Sequence, residues 1–199
     1  MNKNEPESEI MKPKLVKETF LLKLGPDLER ELPLINLSGT DKRIASFVML
    51  GDVELNAKCA ALLVDQMKSR DLLDKFDILV ALEAKGIALT HECARLLNLP
   101  YYVVIRKSLK KYMVSPITVP VESITSFGEQ TLVLNGLDAE RIRGKRVCIT
   151  EDVIATGGSV QAACKLIEKA GGEVTVIATV LLKGEFEDPR LLYYHRPPI

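Results

Sequence analysis

Hydrophobic and polar positions follow two different periods along this chain, and each change of period marks an element. Val53, Ala57, Ala60, Val64 and Met67 recur at helical spacing, which predicts a helix from Asp52 to Arg70 with Asp52 at its start. Phe76 to Leu82 (FDILVAL) is a short, nearly continuous apolar run, as expected of a strand covered on both faces. Glu83-Ala84-Lys85-Gly86 then turns into a second helix, Ile87 to Asn98, which Pro100 ends. Tyr101 to Ile105 and Val147 to Thr150 predict further strands, and Val160 to Ala170 a further helix that Gly171-Gly172 stops. Val174 to Leu182 predicts the last strand of the sheet. Strands alternating with helices point to an α/β fold, a mainly parallel sheet flanked by helices.

The regions around this core are read differently. Residues 1–14 are polar and predict a flexible arm. Residues 15–50 form an appendage to the 51–183 core. It holds an amphipathic segment from Leu15 to Leu24, a turn at Gly25-Pro26-Asp27, a strand candidate from Leu32 to Leu37, a turn at Ser38 to Asp41, and the apolar run Ile44 to Leu50. Residues 106–121 (RKSLKKYMVSPITVPV) show no helical period and predict one long basic loop. A loop of that length inside a compact domain is usually functional or disordered. Glu122 to Phe127 and Thr131 to Leu134 predict a hairpin around Gly128, and residues 184–199 a polar C-terminal tail with Tyr193, Tyr194 and His195 as packing or interface residues.

Composition removes several functions. With 47% hydrophobic residues the chain is not wholly disordered, and 199 residues suffice for one domain with a sizeable core. Lys+Arg and Asp+Glu both number 27, so the balance argues against a general nucleic-acid binder. Cys59, Cys93, Cys148 and Cys164 stand singly in apolar or helical stretches, which argues against a zinc site or a disulfide framework. His91 has no ligand-spaced partner. The N-terminus lacks an apolar signal core and no run approaches a membrane span, so no membrane contact is expected and a reducing cytoplasm is the default.

The chemistry concentrates in residues 146–160, RVCITEDVIATGGSV. A strand ends on Glu151 and Asp152, then Ala155-Thr156-Gly157-Gly158-Ser159 turns into a helix. A helix start offers unpaired N–H groups and a positive dipole end, which suit a phosphate. Glycines let the backbone approach that phosphate, and Thr156 and Ser159 add hydroxyl donors. Carboxylates accept hydrogen bonds only, so they suit sugar hydroxyls or a hydrated Mg²⁺. A sugar phosphate matches both ends. In a parallel sheet, Glu83–Gly86 would meet this turn at the carboxyl ends of the strands.

TEDVIATGGS resembles the phosphoribosyl-pyrophosphate (PRPP) motif of type I phosphoribosyltransferases, and the resemblance extends over residues 50–183. It implies transfer of ribose 5-phosphate from PRPP to a nitrogen base with release of pyrophosphate, and Mg²⁺ bound mainly through PRPP. It implies that Ala155, Thr156, Gly157, Gly158 and Ser159 anchor the 5-phosphate, and that Glu151 and Asp152 hold the ribose hydroxyls and favour positive charge at C1. Glu83-Ala84-Lys85-Gly86 is similar to the family's pyrophosphate loop. The basic loop is similar to its mobile lid, where Arg106, Lys107 and Lys110 would serve the pyrophosphate, with Arg106 and Lys107 acting in catalysis beside Glu151 and Asp152. Residues 15–50 would form a hood, with Phe47, Val153 and Ile154 against the base and Met49 and Leu50 as further candidates. A homodimer is the implied active unit.

For the base, the resemblance points to a purine, adenine first. The short N-terminal segment and EAKG are similar to adenine and xanthine enzymes. Ser126-Phe127-Gly128 stands where adenine enzymes commonly carry E-Y-G, and Thr125 with the length of 122–136 is closer to xanthine enzymes. Xanthine, hypoxanthine and orotate enzymes therefore stay open. So does a PRPP-sensing regulator without turnover, although no basic recognition helix stands out before residue 51.

Overall fold

The computed structural model describes residues 18–36, 43–121 and 130–198. The predicted arm at 1–14, the turn at Ser38 to Asp41, and Glu122 to Gly128 with Thr125, Ser126 and Phe127 lie outside the described residues. In chain order the elements are β1 (Thr19–Gly25), β2 (Leu28–Asn36), β3 (Arg43–Ala45), α1 (Val53–Ser69), β4 (Ile78–Leu82), α2 (Gly86–Leu96), β5 (Tyr102–Ile105), β6 (Ile117–Val121), β7 (Gln130–Leu134), α3 (Gly136–Ile142), β8 (Arg146–Ile154), α4 (Gly158–Lys169), β9 (Glu173–Leu182) and β10 (Leu191–His195).

The central sheet runs β10-β9-β8-β4-β5 and is parallel throughout. Its central strands are apolar because both faces are covered. Alternate residues go to opposite sides: Leu79 and Cys148 join one core with α1 and α2, while Val80 and Ile149 join another with α3, α4 and the β6–β7 hairpin. The strand order changes direction between β4 and β8. That is a switch point, where the loops after the two strands part and leave a crevice. The mainly parallel α/β sheet flanked by helices is as the sequence predicts.

Three expectations change in detail. Leu15 to Lys17 of the amphipathic segment lie outside the described residues, and from Thr19 on the segment is a strand: β1 alternates exposed Leu21 and Lys23 with buried Leu22 and Leu24, and pairs with β2 in an antiparallel three-stranded sheet closed by β3. The hairpin is formed by β6 and β7, so its first arm lies within the predicted loop, and the loop ends at Pro116. Ile117, Val119 and Val121 already carry the period of two, and Pro120 is tolerated because an edge strand has unpaired N–H positions. The last strand of the sheet is β10, not β9. It lies in the predicted tail, parallel to β9. It lies at the edge of the sheet, and only Leu192 in it is fully buried.

The small sheet packs on the core through Leu22, Leu24, Leu28 and Leu32. Asp52 caps α1 by accepting the Leu55 N–H at 2.9 Å and receives the Arg30 guanidinium from β2 at 2.8 Å. Tyr194 Oη of β10 donates to the Leu24 carbonyl at 2.7 Å. All four cysteines are buried and free, and burial pushes the Cys59 and Cys93 thiols up to about 12, so they behave as small hydrophobes.

Candidate active site

β8 carries Glu151 and Asp152 just before it ends, and the chain turns at once into α4. The turn needs glycine: Gly157 has φ +79° and occupies the position before the first helical residue. The first-turn N–H groups of a helix have no partner inside it. A cavity of about 570 Å³ opens here. It is bounded by Glu83 to Lys85 after β4, by Lys107 and Ser108 after β5, and by the unbroken run Glu151 to Val160. Three strand ends thus contribute to one crevice.

The charges in it are paired. Lys85 Nζ lies 2.7 Å from Asp152 Oδ2, with Asp152 only 1% exposed and the Lys85 side chain 43% exposed. Glu151 accepts the Asp152 backbone N–H at 3.1 Å. Burial first, and then the adjoining Asp152 carboxylate, push the Glu151 carboxyl well above its ordinary value. Gly86 leaves room for it: a Cβ there would fall 3.0 Å from Glu151 Oε1. Thr90 Oγ1 bonds to Gly86 O at 2.7 Å and lies 2.6 Å from Thr150 Oγ1, which fastens the start of α2 to β8. Glu83 accepts the Lys107 N–H at 2.8 Å and lies 3.0 Å from Arg106 Nε. Burial raises its carboxyl, but the Lys107 N–H and Arg106 outweigh burial and hold it below the ordinary range.

The crevice therefore gathers Glu83, Ala84, Lys85, Lys107, Glu151, Asp152, Val153, Ile154, Ala155, Thr156, Gly157, Gly158 and Ser159 of the sequence-derived set. Gly86 sits behind the wall, against Glu151 and Thr150. Arg106 stands outside the lining, turned to Glu83 and, at 3.3 Å, to Tyr112 Oη. Lys110 Nζ bonds to Ser108 Oγ at 2.7 Å. Phe47 is 4% exposed and lies in the hydrophobic core with Met49, not in the lining of the crevice.

Sequence reasoning passed over Lys183. It follows the carboxyl end of β9, its N–H donates to Ile154 O at 2.7 Å, and its Nζ donates to Ala45 O at 2.5 Å. Burial lowers its pKa, the Lys85 charge lowers it further, and Asp152 opposes both. The available signal was position: it is the first polar residue after a parallel strand whose neighbours carry the site.

Among the described residues, no group of three or more His, Cys, Asp or Glu side chains is placed to hold a metal. Glu151 and Asp152 are oxygen donors, and Mg²⁺ is commonly held by one or two carboxylates plus substrate phosphates. The donor set fits a magnesium ion shared with a phosphorylated ligand.

Fold and crevice together define an α/β protein in which a glycine turn, two strand-end carboxylates and lysines meet at the sheet's switch point. The profile of the phosphoribosyl transferase domain family matches residues 53–194, and the chain belongs to that family. Over 152 residues it is 34% identical to "HGPRTase-like protein 3" of Haloterrigena turkmenica, covering 76% of this chain and 77% of that protein. Over 109 residues it is 37% identical to the hypoxanthine/guanine phosphoribosyltransferase of Methanococcus voltae, which covers 55% of this chain and 54% of that protein. The solved adenine phosphoribosyltransferase of Saccharomyces cerevisiae shares the fold, with a TM-score of 0.68 at 20% identity over 82% of this chain and 94% of that one.

Proposed function

We propose that the protein is a purine phosphoribosyltransferase of purine salvage. In this reaction the C1–O bond of PRPP to pyrophosphate breaks, a C1–N bond to the base forms, and the base nitrogen loses its proton. The observation that carries the proposal is the meeting, in one crevice, of the Gly157–Gly158 helix start, two strand-end carboxylates and the cations Lys85 and Lys107.

Each group has a matching task. The residues Ala155 to Ser159 bind the 5-phosphate through N–H and hydroxyl donors. Glu151 and Asp152 accept from the ribose hydroxyls and stabilise positive charge as C1 loses its leaving group. Lys85, Lys107 and Arg106 stabilise the departing pyrophosphate, with Lys110 nearby. Bound with PRPP, Mg²⁺ supplies neutralisation of the pyrophosphate charge. Val153 and Ile154 border the base. The loop from Arg106 to Pro116 acts as the lid over this chemistry.

The preferred acceptor in this reading is a 6-oxopurine, hypoxanthine or guanine, ahead of the adenine that the sequence resemblance put first. The sequence relatives carry hypoxanthine/guanine names, whereas the adenine enzyme of yeast supports the fold alone. Exposed Leu50 and Val53 beside Ile87 and Tyr102 support a homodimer as part of the reading. No helix among the described residues is long and apolar enough to cross a membrane, and a cytoplasmic enzyme is proposed.

The test is pyrophosphate release from PRPP and Mg²⁺ with hypoxanthine, guanine, adenine, xanthine and orotate in turn. Turnover is expected with hypoxanthine and guanine. Turnover with adenine alone would make adenine the acceptor, and no release with any purine would overturn the function.

A further inference from the structure

After β9 the chain does not leave the site. Lys183 N–H is bonded to Ile154 O at 2.7 Å, so the segment after β9 starts alongside the end of β8. Gly184 has φ +99° and passes so near the phosphate loop that a Cβ there would lie 3.2 Å from the Ala155 carbonyl oxygen. Two residues later Phe186 turns inward and is only 7% exposed. Its ring covers Gly157: a Cβ built on that glycine would fall 2.0 Å from Phe186 Cδ2 and 2.4 Å from Cε2. The ring fills the space a side chain at residue 157 would take.

The segment that carries the ring is tied down again just after it. Asp188 Oδ1 accepts from Arg190 Nε at 2.8 Å and Asp188 Oδ2 from a terminal nitrogen of Arg190 at 2.7 Å. Arg190 also donates to Val174 O at 3.2 Å, and the Leu191 N–H donates to Asp188 O at 3.0 Å as β10 begins. The stretch 183–190 is thus fixed to β8 at one end and to β9 and β10 at the other. Between these ties it presses an aromatic ring on the one residue of the loop with left-handed backbone. Beyond the loop lies a second cavity of about 490 Å³, bounded by Ala155, Thr156, Gln161, Glu185, Phe186 and Glu187. The loop has open space on that side, and Phe186 forms part of its wall.

From these contacts we infer that Phe186 is a positioning residue for the phosphate: it braces Gly157 so that the N–H groups at the start of α4 stay aimed into the crevice. Phe186 does not line the crevice, so its effect passes through the backbone of Gly157. A misplacement of about 1 Å at such a site can cost 10²-fold. The inference rests on the sugar-phosphate reading of the crevice and assigns this role to a residue of the predicted tail.

The experiment compares full-length wild type, Phe186→Ala and Phe186→Leu. Ribose 5-phosphate affinity is measured by calorimetry, and KM for PRPP and for the base by pyrophosphate release, the latter at saturating PRPP. Phe186→Ala is expected to weaken ribose 5-phosphate and raise KM for PRPP by about 10- to 100-fold while KM for the base stays put. Phe186→Leu, which still covers part of Gly157, should fall between it and wild type. General loosening of the fold would move both substrates. Equal losses for both, or unchanged ribose 5-phosphate affinity in folded Phe186→Ala, would overturn the brace. Should Phe186→Ala not fold, wild-type ribose 5-phosphate affinity in Phe186→Leu would overturn it. A wild type that binds no ribose 5-phosphate would remove the underlying site reading as well, so the two failures are distinguishable.

Discussion

Replacing Asp152 by Asn keeps the shape of the most buried carboxylate in the crevice and removes its charge. The magnitude follows from its surroundings. Asp152 is almost wholly buried, so its field reaches a bound sugar with little screening by water. Losing one well-placed electrostatic group of this kind typically costs about 10²–10³ in rate, or about 2.7–4 kcal/mol of barrier. Folding should respond quite differently. Breaking a buried ion pair usually costs about 3–5 kcal/mol, because an uncompensated buried charge is left behind. Here the survivor is Lys85, whose side chain is 43% exposed and can turn to solvent. The net change in unfolding free energy should therefore stay within about 1 kcal/mol. Pyrophosphate release and urea unfolding on the same preparation read both quantities. Near-normal kcat/KM in a folded Asp152→Asn protein would refute the electrostatic role. A large loss of stability would show that Lys85 cannot rehydrate.

The same substitution has a pH signature. Glu151 has a folded-state pKa raised above its ordinary 4.5, by burial first and then by Asp152. The folded state binds the extra proton, so this contribution to stability is full below about pH 4.5 and is lost as pH rises through the raised value. Removing the Asp152 charge leaves burial alone to raise Glu151, so the loss should be completed at lower pH in Asp152→Asn. An unchanged stability profile would show that the two carboxyls are uncoupled.

Two further substitutions test how the site's surroundings are held. Asp52→Ala removes the N-cap of α1 and the partner of Arg30, and should cost about 1–2 kcal/mol in urea unfolding, most of it from the cap. Arg30 holds the Asp52 carboxyl below its ordinary 3.8, so its share of stability is present above that pH and lost as pH falls further; the acid limb should be shallower in the variant, and parallel limbs would contradict this. Glu83→Gln keeps an acceptor for the Lys107 N–H but drops the charge facing Arg106, and should speed tryptic cleavage at Arg106 or Lys107 by roughly 2- to 5-fold. An unchanged cleavage rate would mean that Glu83 does not restrain the loop.

How far this site could be read from sequence depends on how its parts are connected. Glu151 to Ser159 is contiguous, so a strand followed by a glycine turn and a helix dictates its local geometry. Glu83 to Lys85 comes to it by a general property of parallel sheets, the gathering of strand ends at one edge. Packing partners were harder. Ile44 to Leu50 reads as one apolar run, yet Ala45, Phe47 and Met49 are buried and Val48 and Leu50 exposed; the alternation shows a strand-like face but not what that face covers. Phe186 stood in a stretch whose charges resembled a solvated tail, because Gly184-Glu185-Phe186-Glu187-Asp188-Pro189-Arg190 carries that one large apolar residue among charged and turn residues. Pairing across long separations was also hidden. Lys85 and Asp152 are 67 residues apart, and Arg106 faces Glu83 across two strand ends. These pairs change how the crevice must work. Two of the cations expected to meet pyrophosphate already hold carboxylates, one of them a carboxylate expected to meet the ribose. A polyanionic sugar entering this crevice exchanges partners instead of adding them, since each cation it gains frees an acid for a hydroxyl or a bound cation. The net electrostatic gain on binding is then smaller than a count of its cations implies, and discrimination falls to the backbone geometry at Gly157, where no exchange of charge can compensate for a misplaced N–H.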